Sequence, residues 1–422
     1  MLSNSWATGY SRPNSMRILV FSQYFWPESF RINDVAKTIY EKGYHVEVMT
    51  GKPNYPNGKI FDGYKMLGFQ LDAHDDVSIH RIPLIPRGHG KIRLAINYVS
   101  FVISGVLFSP WVLRNKKFEV VFVYGVSPIL QAIPAIFLGW IKDIPVVLWV
   151  QDLWPESLSA TGYIKNKIAI KLVRHVVRFI YRHVDLLLVQ SEAFIDPVVE
   201  LASGTPVKYY PNSVDKSFSE PLKTYIPNVT GLNDGFSIMF AGNVGSAQAL
   251  EVVIEAATLL REYADIHFVI LGDGSRRNWL LKEVKKRGLS NFHLPGKFSL
   301  EIMPGFLQKA SALLVTLSNH PIFAATVPNK VQAYMAAGRP ILACLNGEAA
   351  RLVTEAEAGL AIPAEDSKAL ATAVLKLYSM PVKERERLGN NGRYYYKQHF
   401  NHNKLVAELI NHFKVVLKEK RS

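Results

Sequence analysis

The residue most suited to holding a phosphate is Lys330, within residues 327–342 (VPNKVQAYMAAGRPIL), which follow an apolar run at 312–317 and an irregular loop at 318–326. Pro328 suits a first helical turn, where its missing N–H costs nothing, and Gly338 followed by Pro340 ends the helix about three turns later. The unit is strand, loop, helix, strand. That order places the helix N-terminus at the carboxyl edge of a sheet, where free N–H groups and the positive dipole end meet a ligand. A phosphate would be held there, and Lys330 adds a full charge. The same spacing also fits an ordinary helix packed on a sheet, with Lys330 in solvent.

Asp152, in residues 150–157 (VQDLWPES), lies just past another apolar run. At a strand's carboxyl end it can orient a hydroxyl or take its proton, or else it caps the next segment. Trp154 and Glu156 share its loop. Residues 23–29 (QYFWPES) form a second loop rich in recognition side chains, Trp26 and Glu28 among them. Glu28 with Arg31 reads as an acceptor-binding cluster. Residues 241–250 (AGNVGSAQAL) allow close backbone approach at Gly242 and Gly245, with a helix expected to start near Ala247. In residues 346–353 (NGEAARLV), Glu348 either contacts a hydroxyl or complements a helix dipole. The acidic cluster at 72–76 (DAHDD) has no second ligand set, so it reads as a solvated turn and no metal is expected.

The elements that must position these residues follow from two runs of strand–helix alternation. Strands are predicted at 16–22, then at the end of 29–50 after a helix and a glycine turn, at 77–82, 119–124, 145–150, 185–190 and 207–210, and again at 236–241, 266–271, 291–294, 312–317, 340–344 and 359–362. Two successive halves of this kind predict an α/β protein of two doubly wound, Rossmann-like domains facing across a cleft. The expected division is an irregular extension at 1–15, a first domain at 16–212, a linker at 213–235, a second domain at 236–400 and a closing helix at 401–422. The stretch 94–113 is near membrane-spanning length but is interrupted by Asn97, three serines and Pro110, so it reads as a helix largely buried or lying at a membrane surface. Residues 165–185 form a basic amphipathic helix, suited either to anionic lipid or to solvent.

Composition sets outer bounds. A chain of 422 residues, 49% hydrophobic and 20% charged, is globular and long enough for two cores. Its net charge of +14 favours an anionic partner: nucleic acid, acidic lipid or a phosphorylated substrate. No nucleic-acid reader motif is present, so nucleic acid is not expected. The single cysteine, Cys344, excludes an internal disulfide and suggests a reducing compartment. No signal-peptide core precedes residue 16, and Met16 is a plausible start, so a cytoplasmic protein is expected. Oligomeric state is not legible.

The run at 327–340 resembles the "P-S-K … E-Y-M-A-A-G-x-P" segment of family 4 glycosyltransferases. The paired loops FWPE (25–28) and PNYPNG (53–58) resemble bacterial transferases of surface-polysaccharide assembly, including the N-acetyl-L-fucosamine transferase subfamily. PNSVD (211–215) resembles the turn that closes the first domain of such enzymes. The resemblance implies a GT-B fold, a second domain that binds a nucleotide sugar, and a first domain that binds the acceptor. It implies donor contacts at Asn243 and Gln248, where the family usually has Arg and Lys, at Asp273 and Gly274 in LGDGSRR, at Lys297 in LPGKFS, and at Pro328 and Asn329 beside Lys330. Neutral amides cannot neutralise phosphate, so Lys330, with Arg276 or Lys297, must supply the charge. Two family glutamates are absent, with Ala325 and Ala333 in their places, and the carry-over of those carboxylates fails.

The chemistry implied is glycosyl transfer, retaining and metal-independent, with Lys330 meeting the leaving diphosphate and Asp152 meeting the acceptor hydroxyl. A UDP-sugar is the expected donor and co-substrate, with no other cofactor. Its sugar is expected to be an N-acetylated deoxyhexose, the acceptor a polyprenyl-diphosphate-linked saccharide, and the site of action an anionic membrane face. Two alternatives share the architecture: a nucleotide-sugar epimerase, and a non-catalytic nucleotide-sugar-binding protein.

Overall fold

The computed structural model of the protein describes residues 16–160, 162–214, 216–220 and 225–422. The expected extension at 1–15 and part of the expected linker lie outside the described residues. Continuous apolar runs become parallel strands buried on both faces, as helix-covered sheets require. The strands of the first half are β1 (Arg17–Phe21), β2 (His45–Thr50), β3 (Gln70–His74), β4 (Val77–Arg81), β5 (Val120–Gly125), β6 (Val146–Val150), β7 (Leu186–Val189) and β8 (Val207–Tyr209). Helices α1 (Arg31–Glu41), α2 (Lys91–Val112), α3 (Ala132–Lys142), α4 (Glu156–Ala160), α5 (Lys167–Arg182) and α6 (Ile195–Ala202) connect them.

The second half contains β9 (Phe236–Ala241), β10 (Ile266–Leu271), β11 (Phe292–Gly296), β12 (Ala312–Thr316), β13 (Ile341–Cys344) and β14 (Gly359–Ile362). Its helices are α7 (Glu251–Leu259), α8 (Arg277–Arg287), α9 (Met303–Lys309), α10 (Pro321–Ala325), α11 (Asn329–Ala337), α12 (Glu348–Glu355), α13 (Ser367–Ser379) and α14 (Val382–Tyr395). The last helix is α15 (His402–Arg421).

The eight-stranded sheet has the order β3-β4-β2-β1-β5-β6-β7-β8, and the six-stranded sheet β11-β10-β9-β12-β13-β14. Each order reverses around its first strand, β1 or β9, and a crevice opens at the carboxyl ends beside such a reversal. Every pairing is parallel except β3 with β4. Phe101 of α2, Ala135 of α3 and Val177 of α5 share one core against the first sheet. On the other face Val35 and Ile39 of α1 meet Leu409 and Phe413 of α15. The closing helix therefore lies on the first sheet, with the Tyr210 hydroxyl donating to Leu405 O at 3.0 Å. Helix α10 joins the halves: Ile322 belongs to the first core, and Phe323 packs against both the first and second cores.

Three expectations are corrected. The acidic cluster is only half a turn: Asp72 lies in edge strand β3 and pairs with the buried Arg81, while Asp75 and Asp76 make the left-handed turn. Of the two alternatives for 94–113, the largely buried one is set aside for helix α2. Its inner residues Leu94, Tyr98 and Phe101 are covered, but Ile92, Ile96, Val99, Ile103, Leu107 and Trp111 form an exposed apolar stripe at helical spacing. By length and composition alone this helix could cross a membrane. The helix expected near Ala247 begins at Glu251, after a short turn over Ser246–Gln248.

Candidate functional site

The loop after β9 is shaped by close approach. A β-carbon on Gly242 (φ +138°) would lie 2.6 Å from Lys330 Cε and 3.1 Å from Nζ, and one on Gly272 (φ +144°) would lie 1.8 Å from Gly242 O. Glycine at both positions lets the loops after β9 and β10 close over the Lys330 side chain. The ammonium sits 3.8 Å from the centre of the Phe240 ring. Burial pushes its pKa down to about 7. Pro328 is the N-cap of α11, and Gly338 closes the helix with φ +70°.

Asp152 follows β6. Its Oδ2 accepts the Ser127 N–H at 3.1 Å and the Ser127 hydroxyl at 2.9 Å. That hydroxyl in turn accepts the Trp154 indole N–H at 2.9 Å. Burial raises the Asp152 pKa, and the two Ser127 hydrogen bonds oppose the rise. Asp152 and Trp154 line a largely apolar cavity of about 760 Å³ that also meets Tyr24, Arg87, Tyr98 and Asn243. A second, more polar cavity of about 910 Å³ lies between Arg87 and Lys91 of the first half and Asn243, Gly245, Gln248 and His320 of the second. Asn243 lines both. The two halves therefore face each other across adjoining spaces that a donor and an acceptor could share.

Other expected site residues lie elsewhere, each for a physical reason. Lys330 is not part of either cavity wall; it stands one layer behind, held by the ring and the Gly242 turn. Glu28 is buried beneath the loop, and its Oε1 accepts the N–H groups of Asn54 (2.8 Å) and Tyr55 (2.7 Å). It therefore ties FWPE to PNYPNG instead of facing an acceptor, and burial pushes its pKa up to about 7. Arg31 pairs with Asp34 at 3.1 Å. Trp26 stacks on His74, ring centres 4.3 Å apart, beside the sheet edge. Glu156 pairs with Arg174 at 2.5 Å. None of these four lines the cavities.

On the donor side Asp273 is exposed, and its carboxylate accepts the N–H of Gly274 at 2.8 Å, fixing the turn. Asn329 and Lys297 are exposed outside both cavities. Arg276 pairs with Glu251 and lies 4.2 Å from the Trp279 ring centre, so its charge is already engaged. Glu348 is buried at the start of α12 and bound by Arg351 at 2.6 Å. Arg351 also reaches Glu192 of the first half at 3.1 Å. Ala333 is buried in the second core, and Ala325 O accepts the Ser191 hydroxyl at 2.6 Å. Both positions are packing contacts here.

Among the described residues the lysine and arginine side chains lining the two cavities are Arg87 and Lys91, the latter donating to Gly162 O at 2.5 Å, with Ser127, Tyr24, Tyr98 and His320 beside them. Sequence reasoning missed these. The available signal was RGHGK (87–91), a glycine-bearing basic loop directly before a long apolar helix. Among the described residues no group of three or more His, Cys, Asp or Glu side chains is gathered to hold a metal ion.

Comparison with known proteins agrees with this architecture. Residues 29–212 match the family described as Glycosyl transferase 4-like domain, and residues 235–380 match Glycosyl transferases group 1. The chain is 25% identical over 338 residues to the putative colanic acid biosynthesis glycosyl transferase WcaI of Escherichia coli K12, covering 76% of this chain and 82% of that protein. It is 28% identical over 302 residues to the probable glycosyltransferase WbjE of Pseudomonas aeruginosa, covering 68% and 73%. Among solved structures, sucrose-phosphate synthase of Thermosynechococcus elongatus superposes with TM-score 0.73 at 14% identity, over 96% of this chain and 100% of that one. Anabaena HepE in complex with UDP gives 0.68 at 12%, over 95% and 100%. The fold is the GT-B arrangement of two Rossmann-like domains.

Proposed function

We propose, for a chain built of a glycosyl transferase 4-like domain and a group 1 glycosyl transferase domain, that it moves a sugar from a UDP-sugar onto a polyprenyl-diphosphate-linked saccharide during surface polysaccharide synthesis. The observation that carries the reading is the shared wall: Asp152 of the first domain and Asn243 of the donor loop line one cavity. WcaI, named for colanic acid biosynthesis, supports the pathway class, and HepE, solved with UDP, supports the donor class. An N-acetylated deoxyhexose is the donor sugar we favour.

In this mechanism the bond from the anomeric carbon to the diphosphate oxygen breaks as the acceptor oxygen bonds to that carbon. The proton of the acceptor hydroxyl passes to the departing phosphate on the same face, with retention of configuration. Both Ser127 hydrogen bonds fall on Asp152 Oδ2, so Oδ1 is left to orient the hydroxyl. The leaving charge is met by the N–H groups of Asn243, Ser246 and Ala247, since those of Val244, Gly245 and Gln248 already donate within the protein, and by Lys330 once it is drawn off the Phe240 ring, without a metal or further cofactor.

The reading puts the acceptor at a membrane, and the surface of the first half supports it. The exposed stripe of α2 is bordered by Lys91 and Arg93 at one end, and at the other by a groove lined by Arg114, Lys116, Lys117, Lys142, Lys420 and Arg421. On α5, Ile168 and Leu172 stand exposed beside Lys171. Apolar ridges framed by cations fit the cytoplasmic face of an anionic bilayer. Incubation of purified protein with radiolabelled UDP-sugars and membranes tests the reaction. Label in the lipid fraction supports it; an epimerised free nucleotide sugar, or binding without turnover, supports one of the alternatives and removes it.

A further inference from the structure

Arg87 stands on the loop between β4 and α2, and the PNYPNG loop fixes its backbone. Its N–H donates to Asn54 Oδ1 at 2.9 Å, and the N–H of Gly88 donates to Gly58 O at 2.9 Å. The guanidinium lies 5.2 Å from the centre of the Tyr55 ring, in the cavity that the Tyr24 side chain also lines. Tyr24, Tyr55, Tyr98 and Tyr163 line the same cavity as Arg87. Phenols are uncharged at neutral pH, so they position the guanidinium without neutralising it.

Arg87 and Lys91 line both cavities. Helix α2 starts there on Gly90, with no side-chain cap and no acidic residue in its first turn, so its leading N–H groups receive no side-chain acceptor from the cap. A forked cation beside a cavity wall that includes the uncapped start of α2, Gly90 and Lys91, matches the oxygens of a phosphoanhydride. We infer that Arg87, held by the tyrosine ring and backed by the first turn of α2, is the seat of a diphosphate on the first-domain side of the cleft.

The seat deepens the proposed reaction and rests on it. Two diphosphates take part, one on the nucleotide and one on the lipid acceptor. The cavity beside Arg87 favours the second, since Leu94, Val99, Leu130, Ile164, Ile322 and Phe323 line it. Val99 also belongs to the exposed stripe of α2, so a prenyl chain bound at its diphosphate has an apolar path toward the bilayer.

Titration calorimetry of the full chain with UDP, farnesyl diphosphate and farnesol, on the native protein, Arg87→Ala and Arg87→Lys, tests the assignment. Arg87→Ala is expected to weaken farnesyl diphosphate at least tenfold while changing UDP and farnesol less than twofold. A tenfold loss for UDP alone would keep a diphosphate seat but overturn the lipid as its source. No loss for either diphosphate overturns the seat. If Arg87→Ala melts early, Arg87→Lys serves instead, because it keeps the charge and loses the fork, and a severalfold loss confined to farnesyl diphosphate is expected. Transfer to the lipid fraction by a protein whose farnesyl diphosphate affinity ignores Arg87 would remove the seat and leave the reaction standing. Arg87-dependent binding in a protein without transfer would do the reverse.

Discussion

The Lys330 ammonium rests 3.8 Å from the centre of the Phe240 ring, behind the Gly242 turn and one residue from Asn243 in the cleft wall. Burial brings its pKa down to about 7, so near neutral pH it exchanges between a neutral amine and a cation. A diphosphate at the loop would favour the cation and draw it off the ring. Lys330→Ala is expected to lower kcat/KM by about 10²–10³, the usual effect of removing one preorganised group from a developing oxyanion. Steady-state kinetics is the check, with circular dichroism showing that the variant is folded.

The same residue sets a pH dependence. The amine must gain a proton to pair with the diphosphate, so UDP affinity should fall as pH rises through about 7. For folding the sign is opposite. The folded pKa lies below the unfolded one, so the cost of burying Lys330 is full below about 7 and fades as pH rises toward 10.5. Lys330→Met should therefore melt higher than the native protein at pH 6 while losing UDP affinity, read by scanning calorimetry and titration.

Asp152→Asn keeps an acceptor for Ser127 but loses the charge that orients the acceptor hydroxyl. Turnover is expected to fall by about 10²-fold, within the usual range for a positioned acid or base, while UDP affinity stays within a factor of two. Equal losses in both would place Asp152 on the donor side.

Glu28 gives a stability prediction. Its Oε1 receives two backbone N–H groups, so Glu28→Ala leaves both unpaired in a buried site and should cost on the order of 1–3 kcal/mol per group left without a partner. The raised carboxyl pKa, about 7 against 4.5, means that the protonated form adds stability below 4.5 that is lost as pH rises through 7. Glu28→Gln cannot ionise, so its melting temperature should gain on the native protein across that interval. Chemical denaturation at pH 4.5 and 7.5 measures the change.

The sequence carried the sheets well, because strands such as VVFVYG and VVLWV are apolar throughout and only helix-covered parallel strands tolerate that. Strand β3 escaped notice because QLDAH is a partly exposed edge and its Asp72 is hidden in a pair with Arg81. The site was less legible. Glu28 and PNYPNG were recognised together, yet their joint role, carrying Arg87 through Asn54, depends on contacts across 33 residues. Lys330 was found by spacing, but spacing could not show the Phe240 ring holding it.

Vesicle sedimentation tests the membrane face. Leu107→Asp with Trp111→Asp is expected to weaken binding to vesicles containing phosphatidylglycerol by more than tenfold, with neutral vesicles bound weakly throughout. Binding should also fall with added salt. An unchanged affinity in the double variant would move the contact away from α2.

The central claim is that the second domain grips a diphosphate while the first presents a hydroxyl across the gap. A crystal structure of the full chain with UDP tests this most directly. The expected result is the diphosphate on the N–H groups of Asn243, Ser246 and Ala247, with Lys330 Nζ moved from the Phe240 ring onto a phosphate oxygen and Asp152 facing it across the cavity. A diphosphate bound elsewhere, with Lys330 still on the ring, would contradict it.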